Sequence, residues 1–313
     1  HDVTLVDNVP EHVDAINANG LRITGPIAEF TATLPAFTPD ALSGTWDTIV
    51  LATKAHHTAG AVRSLLPHLA DDGCVVSAQN GLNELTIAEV VGEQRTVGAF
   101  VNFGADYMEP GVLFYGGRGT VTVGEAFGPT AERVSPRVLA IRDSWQDFDE
   151  RAFATDNIMG YLWGKEAYGA MLFVTALTND SIADALAMPE HRGIYIAIAR
   201  EMLAVAAAHE VQPMAFDGFD PAAYRPDAPT GAAEQSLDAL VAHNRRSAKT
   251  HSGIWRDLAV RKRPTEVDAQ LGIVVRLGAA AGVPTPLTAR VVAMIQEIER
   301  GTRAQSRDNL EAL

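Results

Sequence analysis

Five polar residues stand where side chains could do chemistry. Asp7 ends the alternating, β-branched run "DVTLV", ahead of "PEHVDAINANG", which reads as a helix closed by Gly20. An acid at the end of such a strand matches the second strand of a dinucleotide-binding βαβ unit, where the carboxylate accepts bonds from an adenosine ribose. Lys54 follows "DTIVLAT" and Asn80 follows "CVVSA". In an open α/β sheet, ligands bind just beyond such strand ends. Lys54 there could meet a carboxylate or a cofactor, and Asn80 could offer its amide to a substrate or a nicotinamide ribose. The ordinary alternatives are a surface lysine and a tight turn allowed by Gly81. Lys165 is the oddest of the five, a cation inside the apolar helical run "LWGKEAYGAMLF", sharing a face with Gly169 and Phe173 at i+4 and i+8. It either snorkels to solvent or is held in a cleft where desolvation and an anionic partner tune it. Glu266 lies two residues after Pro264, in what reads as a helix's first turn, where a carboxylate is already explained by the helix dipole.

Other chemistries find little support. His56 and His57 are adjacent and point apart, with no further ligands at metal-site spacing, so no metal is expected. No G-x-S-x-G elbow or Cys/His signature is present. The single cysteine, Cys74, sits in an apolar run and reads as a buried structural thiol.

The elements that would position these residues fall into two groups. "DTIVLAT" (47–53), "CVVSA" (74–78) and "TVGAF" (96–100) read as strands of a doubly wound sheet, with helical stretches such as "HTAGAVRSLLPHLADDG" between them. "GVLFYGGRGTVTVGE" (111–125) reads as a hairpin about its Gly-Gly-Arg-Gly turn. Beyond residue 150 the pattern becomes helical, with helices expected over 157–177, 191–210, 233–250, 264–282 and 287–301. The expected fold is α/β: a Rossmann-like dinucleotide-binding domain over 1–150, then an all-helical substrate domain over 151–313. The glycine-rich turn of a dinucleotide unit precedes its acid by about 20 residues, so the first strand and that turn are expected upstream of His1.

Composition agrees with a globular protein: of 313 residues, 47% are hydrophobic and 20% charged. A net charge of −14 argues against nucleic-acid or anionic-membrane partners. No apolar stretch or leader pattern points to a membrane or to export, so a cytoplasmic protein is expected.

Five stretches together resemble the ketopantoate reductase family: "DTIVLATKAHHT", "SAQNGLNE", "EPGVLFYGG", "LWGKEAYGAMLFVTALT" and "RPTEVDAQLG", in the family's order and covering nearly the whole chain. The resemblance implies reduction of a 2-oxo acid with a nicotinamide cofactor in a cleft between the two domains, and a homodimer. It makes Lys165 the general acid, with Glu266 beside it and with Lys54, Asn80, Gly81 and Glu266 helping to bind cofactor and substrate. Asp7, with no basic neighbour before Arg22, favours NAD(H) over NADP(H). Where the family typically carries asparagines four and eight residues after the lysine, this chain has Gly169 and Phe173, and the family's serine segment reads "THSGIWRDLAV", with His251 and Ser252 as candidate substrate contacts. Losing two amide partners costs a polar diol substrate about 1–3 kcal/mol each. The pattern therefore points to another 2-oxo acid, ketone or imine with a larger apolar or aromatic part. A secondary-alcohol dehydrogenase and an imine reductase remain alternatives. So does a non-catalytic NAD(P)-sensing protein, although a sensor has no need of Lys165 and Glu266.

Overall fold

The computed structural model describes residues 1–128, 134–246 and 249–313. The chain forms two compact units. The first comprises 1–53, 57–79 and 84–158; the second comprises 54–56, 80–83 and 159–313. The division thus runs after Ile158 rather than at 150, and two short turns that leave the first unit's strands, those carrying Lys54 and Asn80, count with the second.

In the first unit β1 (Leu5–Val6), α1 (Pro10–Asn19), β2 (Leu21–Thr24), β3 (Phe30–Ala32) and β4 (Ala36–Phe37) precede an alternating series. That series is β5 (Trp46–Leu51), α2 (Thr58–Leu65), β6 (Leu69–Ser77), α3 (Asn83–Val91) and β7 (Thr96–Val101). β8 (Gly104–Glu109), β9 (Val112–Gly117), β10 (Val121–Glu125), α4 (Pro136–Gln146) and β11 (Phe153–Ala154) follow. The main sheet has the order β11-β10-β7-β6-β5. Its β5, β6 and β7 are parallel, and β10 runs antiparallel to β7. Side chains alternate across it as strand geometry requires. Cys74 and Val76 pack with Val97, Ala99, Val138 and Ile141 on the α4 face, while Val75 packs with Leu51, Val62 and Ile87 on the α2 and α3 face. With helices on both faces and three parallel strands, this is a Rossmann-like sheet. Cys74 is buried, and burial pushes its thiol pKa up.

Two expectations need correction here. Residues 111–125 do not form a hairpin. β9 pairs with β8 and β2 in a four-stranded sheet of order β3-β2-β9-β8, whereas β10 joins the main sheet. The Gly-Gly-Arg-Gly segment carries the chain from one sheet to the other. Gly119 lies so close to the Asn102 carbonyl that a Cβ would come within 2.1 Å of its oxygen. The antiparallel hairpin is instead β8–β9, turning at Gly111 (φ 77°). Residues 69–73 are not helical either: β6 starts at Leu69, because Pro67 opens a short 3-10 turn that ends α2. Finally, β1 pairs in parallel with β4 as a separate two-stranded sheet.

The second unit is helical: α5 (Ile158–Thr175), α6 (Ile182–Ala187), α7 (Arg192–Ala208), α8 (Ala232–Arg246), α9 (Gly253–Trp255), α10 (Ile273–Ala281), α11 (Pro286–Glu299) and α12 (Asp308–Glu311). Of the expected helix 233–250, positions 247 and 248 lie outside the described residues. Core side chains of α5 and α7, among them Met171, Phe173, Tyr195 and Met202, have no exposed surface. The long apolar α5 is seated by close backbone approach. Gly160 accepts from the Met214 amide at 2.8 Å, and a Cβ on Gly164 would come within 2.4 Å of the Met214 oxygen. The expected helix over 264–282 begins later, with a π-turn at Asp268–Gly272 leading into α10, so Pro264 and Glu266 precede it. No helix among the described residues is long and apolar enough to cross a membrane.

Candidate functional site

Glu266 is buried, and its carboxylate bonds not to the turn that it precedes but to the segment after β5. Oε2 accepts from Lys54 Nζ at 2.6 Å, and Oε1 accepts from the Ala55 amide at 2.7 Å. The turn after β5 is thus clamped by an acid 212 positions away. Beside it Asp257, 3% exposed, lies 3.5 Å from the same Lys54 Nζ. Its Oδ1 accepts from Arg261 Nη1 at 3.1 Å and Arg263 Nε at 2.8 Å. Desolvation works against the Asp257 carboxylate, but Arg261, Lys54 and Arg263 together hold its pKa below the usual value. The π-turn Arg256–Val260, closed by Arg261 N donating to Arg256 O, aims both arginines back at this acid. Glu266 is set in turn by Thr265, whose amide and hydroxyl both donate to Glu299 Oε1 at 2.7 Å.

Lys165 on α5 belongs to the same electrostatic neighbourhood. Desolvation lowers its pKa to about 8, against the pull of Glu166, Asp217 and Glu266, and Lys249 pushes the same way as burial. Glu166, 3% exposed, is raised to about 8 by burial, with Lys165 opposing and Glu266 reinforcing the shift. Gly169, one turn along, faces open space: a Cβ there would have no neighbour within 4 Å. Phe173, expected beside it as a substrate contact, is a core residue with 0% exposure, because its part of α5 has passed into the interior of the unit.

The Lys165 and Glu166 shifts fix a pH dependence. Glu166 binds its proton more tightly folded than unfolded between its ordinary 4.5 and about 8, so stability falls as pH rises through that window. Lys165 holds its proton less tightly when folded, so stability returns from about 8 toward 10.5. Melting temperature measured against a Lys165→Met, Glu166→Leu double variant should therefore pass through a minimum near pH 8. A flat difference would show that neither group is desolvated.

Asn80 is exposed, in a turn made by Gly81 (φ 105°) and held by Asn83, whose Nδ2 donates to the Asn80 carbonyl at 2.7 Å. Ser252 is buried and acts as a helix cap, its Oγ accepting from the Trp255 amide at 3.1 Å. His251 packs on the Trp255 ring with centroids 4.0 Å apart, and Trp255 Nε1 reaches Asn179 Oδ1 at 3.3 Å. In the first unit Asp7 is half-buried, with Oδ1 accepting from the Val9 amide at 2.8 Å. Arg22 is 3.5 Å from Glu29, to which it is paired. Among the described residues no group of His, Cys, Asp or Glu could hold a metal ion.

The second unit brings Lys54, Glu266 and Lys165 into one neighbourhood and adds Asp257, Arg261, Arg263 and Glu166, which sequence reading missed. The i, i+4 pair in "RDLAVRKRP" was a signal for part of this cluster. A groove of about 600 Å³ along α7, lined by Gly193, Ala197, Arg200 and Glu201, holds none of these residues. Arg200 there donates to the Tyr224 carbonyl, and Glu201 caps α11 through Leu287 and Thr288.

Residues 1–128 match the family model "Ketopantoate reductase PanE/ApbA", and residues 157–299 match its C-terminal model. A 2-dehydropantoate 2-reductase of Mesorhizobium japonicum is 28% identical over 93% of this chain and 89% of its own. Another, from Pyrococcus horikoshii, is 32% identical over 52% of each chain. Among solved structures, a PanE/ApbA family ketopantoate reductase from Ralstonia eutropha superposes with a TM-score of 0.77 at 24% identity, covering 96% of this chain and 91% of its own. A D-mandelate dehydrogenase, solved with NADH and anilino(oxo)acetate, has a TM-score of 0.79 at 20% identity, covering 96% and 92%. Both likenesses are likenesses of fold. The two family models span the sheet unit and the helical unit in order, and the chain belongs to the ketopantoate reductase family, oxidoreductases that act on CH–OH and C=O groups.

Proposed function

We propose that this protein reduces a 2-oxo acid bearing a larger apolar or aromatic group to the 2-hydroxy acid, using a nicotinamide cofactor, with NADH preferred over NADPH. The observation that carries this reading is Lys165, a lysine whose pKa is lowered to about 8, in the electrostatic neighbourhood of a Glu266 already clamped to Lys54. A group of that acidity is matched to proton transfer near neutral pH. When bound, the cofactor supplies the hydride. Lys165 Nζ would hold a proton against the substrate carbonyl oxygen, stabilising the charge that develops there and delivering the proton. Glu266 fixes Lys54 and the turn behind it, so that both cations meet an anionic substrate from defined positions.

One observation supports the larger substrate: Gly169 leaves open space one turn from Lys165. The test is a panel of 2-oxo acids with alkyl and aromatic side chains, together with 2-dehydropantoate, followed by loss of NAD(P)H absorbance. Aromatic members should be the better substrates, and a clear preference for 2-dehydropantoate would overturn this assignment.

The residues present fit a dinucleotide in the first unit. Asp7 stands at the end of β1, and its carboxylate makes one hydrogen bond among the described residues, which leaves an oxygen to accept from a ribose hydroxyl. An added 2′-phosphate would meet this acid with no cation beside it in sequence, and Arg22 is already paired to Glu29. Fluorescence titration should therefore give tighter binding of NADH than of NADPH. The reverse order would remove the role given to Asp7.

A further inference from the structure

Asp257 has no part in the reaction so far described, yet it is buried and pairs with three cations. Its Oδ2 lies 3.5 Å from Lys54 Nζ, and its Oδ1 accepts from Arg261 Nη1 at 3.1 Å and from Arg263 Nε at 2.8 Å. Asp257, Lys54, Arg261, Arg263 and Glu266 all belong to the second unit. The same acid closes the segment that leads to Glu266: the Arg263 amide donates to the Asp257 carbonyl at 3.0 Å, and the Arg261 amide to the Arg256 carbonyl at 2.8 Å. Between the two arginines Lys262 sits in the left-handed region at φ 49°, a conformation that a lysine rarely adopts. Such a residue persists where its surroundings over-determine it, and here bonds to Asp257 bracket it on both sides. Lys54 carries three donor hydrogens. It meets two acids among the described residues, Glu266 at 2.6 Å and Asp257 at 3.5 Å, each on a different segment. The lysine is half-exposed, so the longer contact adds little to stability, and its effect is on where the ammonium stands.

Building on the reading of Lys54 as a cation that meets an anionic substrate, we propose that Asp257 is its positioning residue: the acid fixes the ammonium from a second direction, while Arg261 and Arg263 hold the acid back from neutralising it, so that Lys54 meets the carboxylate of a 2-oxo acid with its charge free and its place set. Replacing the acid by asparagine has two opposed effects. It removes an anion from beside an anion-binding lysine, which favours binding, but all three cations are half-exposed and water screens that gain. It also frees the ammonium to move, and a displacement of about 1 Å costs about 100-fold. The positional loss wins, reduced to about tenfold because Glu266 still holds the lysine.

The test titrates oxamate, an unreactive mimic of a 2-oxo acid, into the native protein saturated with NADH and follows the heat of binding. Asp257→Asn should bind oxamate about tenfold more weakly than the wild type, and Lys54→Met more weakly still. In the Lys54→Met background Asp257→Asn should make no further difference, because the acid acts through the lysine. With phenylglyoxylate as substrate, Asp257→Asn should raise KM about tenfold and leave kcat within about twofold, as loss of a contact made equally in the ground and transition states requires. Arg261→Met, Arg263→Met is the second variant, at two half-exposed positions. It releases Asp257 onto Lys54 and should weaken oxamate binding by a similar factor. Unchanged or tighter binding in a folded Asp257→Asn, or an equal loss with and without Lys54, would overturn the proposal. Should Asp257→Asn not fold, wild-type affinity in the double arginine variant would overturn it. The outcomes separate from those of the underlying reading. If Lys54→Met binds oxamate poorly while Asp257→Asn binds it normally, Asp257 loses its role and Lys54 keeps its own. If Lys54→Met binds as the wild type does, or the wild type binds no oxamate, the reading of Lys54 fails and the proposal falls with it.

Discussion

Lys165→Ala is expected to slow turnover of the best 2-oxo acid at least ~100-fold while leaving cofactor binding nearly unchanged, the usual range for loss of a general acid being 10²–10⁴. The alanine variant loses both the proton and the positive charge that would face the carbonyl oxygen as charge develops on it. Folding should survive, since α5 is anchored by Gly160, Gly164 and its apolar side chains rather than by the lysine. Steady-state kinetics with a fluorescence titration of the cofactor checks both halves. Near-normal turnover would make Lys165 a snorkelling helix residue.

The second large effect is expected at Glu266. Alanine there removes the acceptor of the buried Ala55 amide and the partner of Lys54. A buried donor left without a partner costs about 1–3 kcal/mol. Lys54 is 42% exposed and can turn to solvent, so its share of the loss is small. The larger consequence is positional. Lys54 would be left with Asp257, 3.5 Å away and already shared with Arg261 and Arg263. Misplacement of a substrate-binding cation by about 1 Å costs about 100-fold in turnover. Glu266→Ala should therefore melt several degrees lower and lose roughly 100-fold in kcat/KM, on the same reasoning. Glu266→Gln keeps an oxygen for Ala55 and should recover most of the stability but little of the activity. If Glu266→Ala melted and turned over like the wild type, the clamp would be incidental.

Much of the fold was legible because it rests on local pattern. The parallel strands β5 and β7 and the helices α5, α7 and α11 are each announced by periodicity within a few residues of their observed bounds, and β6 by its C-terminal half. What was not legible depends on pairing at a distance. β9 and β10 alternate as a hairpin should, but the partner of each strand lies elsewhere in the chain, and a Gly-rich turn is as compatible with a change of sheet as with a reversal. The site divides in the same way. Lys54 and Asn80 could be placed by their position after strands, and Lys165 by its conflict with an apolar helix. Glu266 reads as an ordinary first-turn acid until its partner 212 positions earlier is known. Asp257 and Glu166 gave no signal as individual residues, since an acid beside cations on a helix is the common solvated case. Only burial distinguishes them. Phe173 was misread for the converse reason: helical spacing puts it on the same face as Lys165, but that face passes from the site into the core within two turns.

The most direct measurement supplies the protein with NADH deuterated at the transferable position and an aromatic 2-oxo acid, then analyses the product by mass spectrometry and proton NMR. The assignment predicts a 2-hydroxy acid carrying one deuterium on the carbon that bears the hydroxyl, formed in amount equal to the cofactor oxidised and falling at least ~100-fold in rate with Lys165→Ala. A protein that binds the cofactor tightly yet transfers no deuterium to any 2-oxo acid, 2-dehydropantoate included, would contradict it.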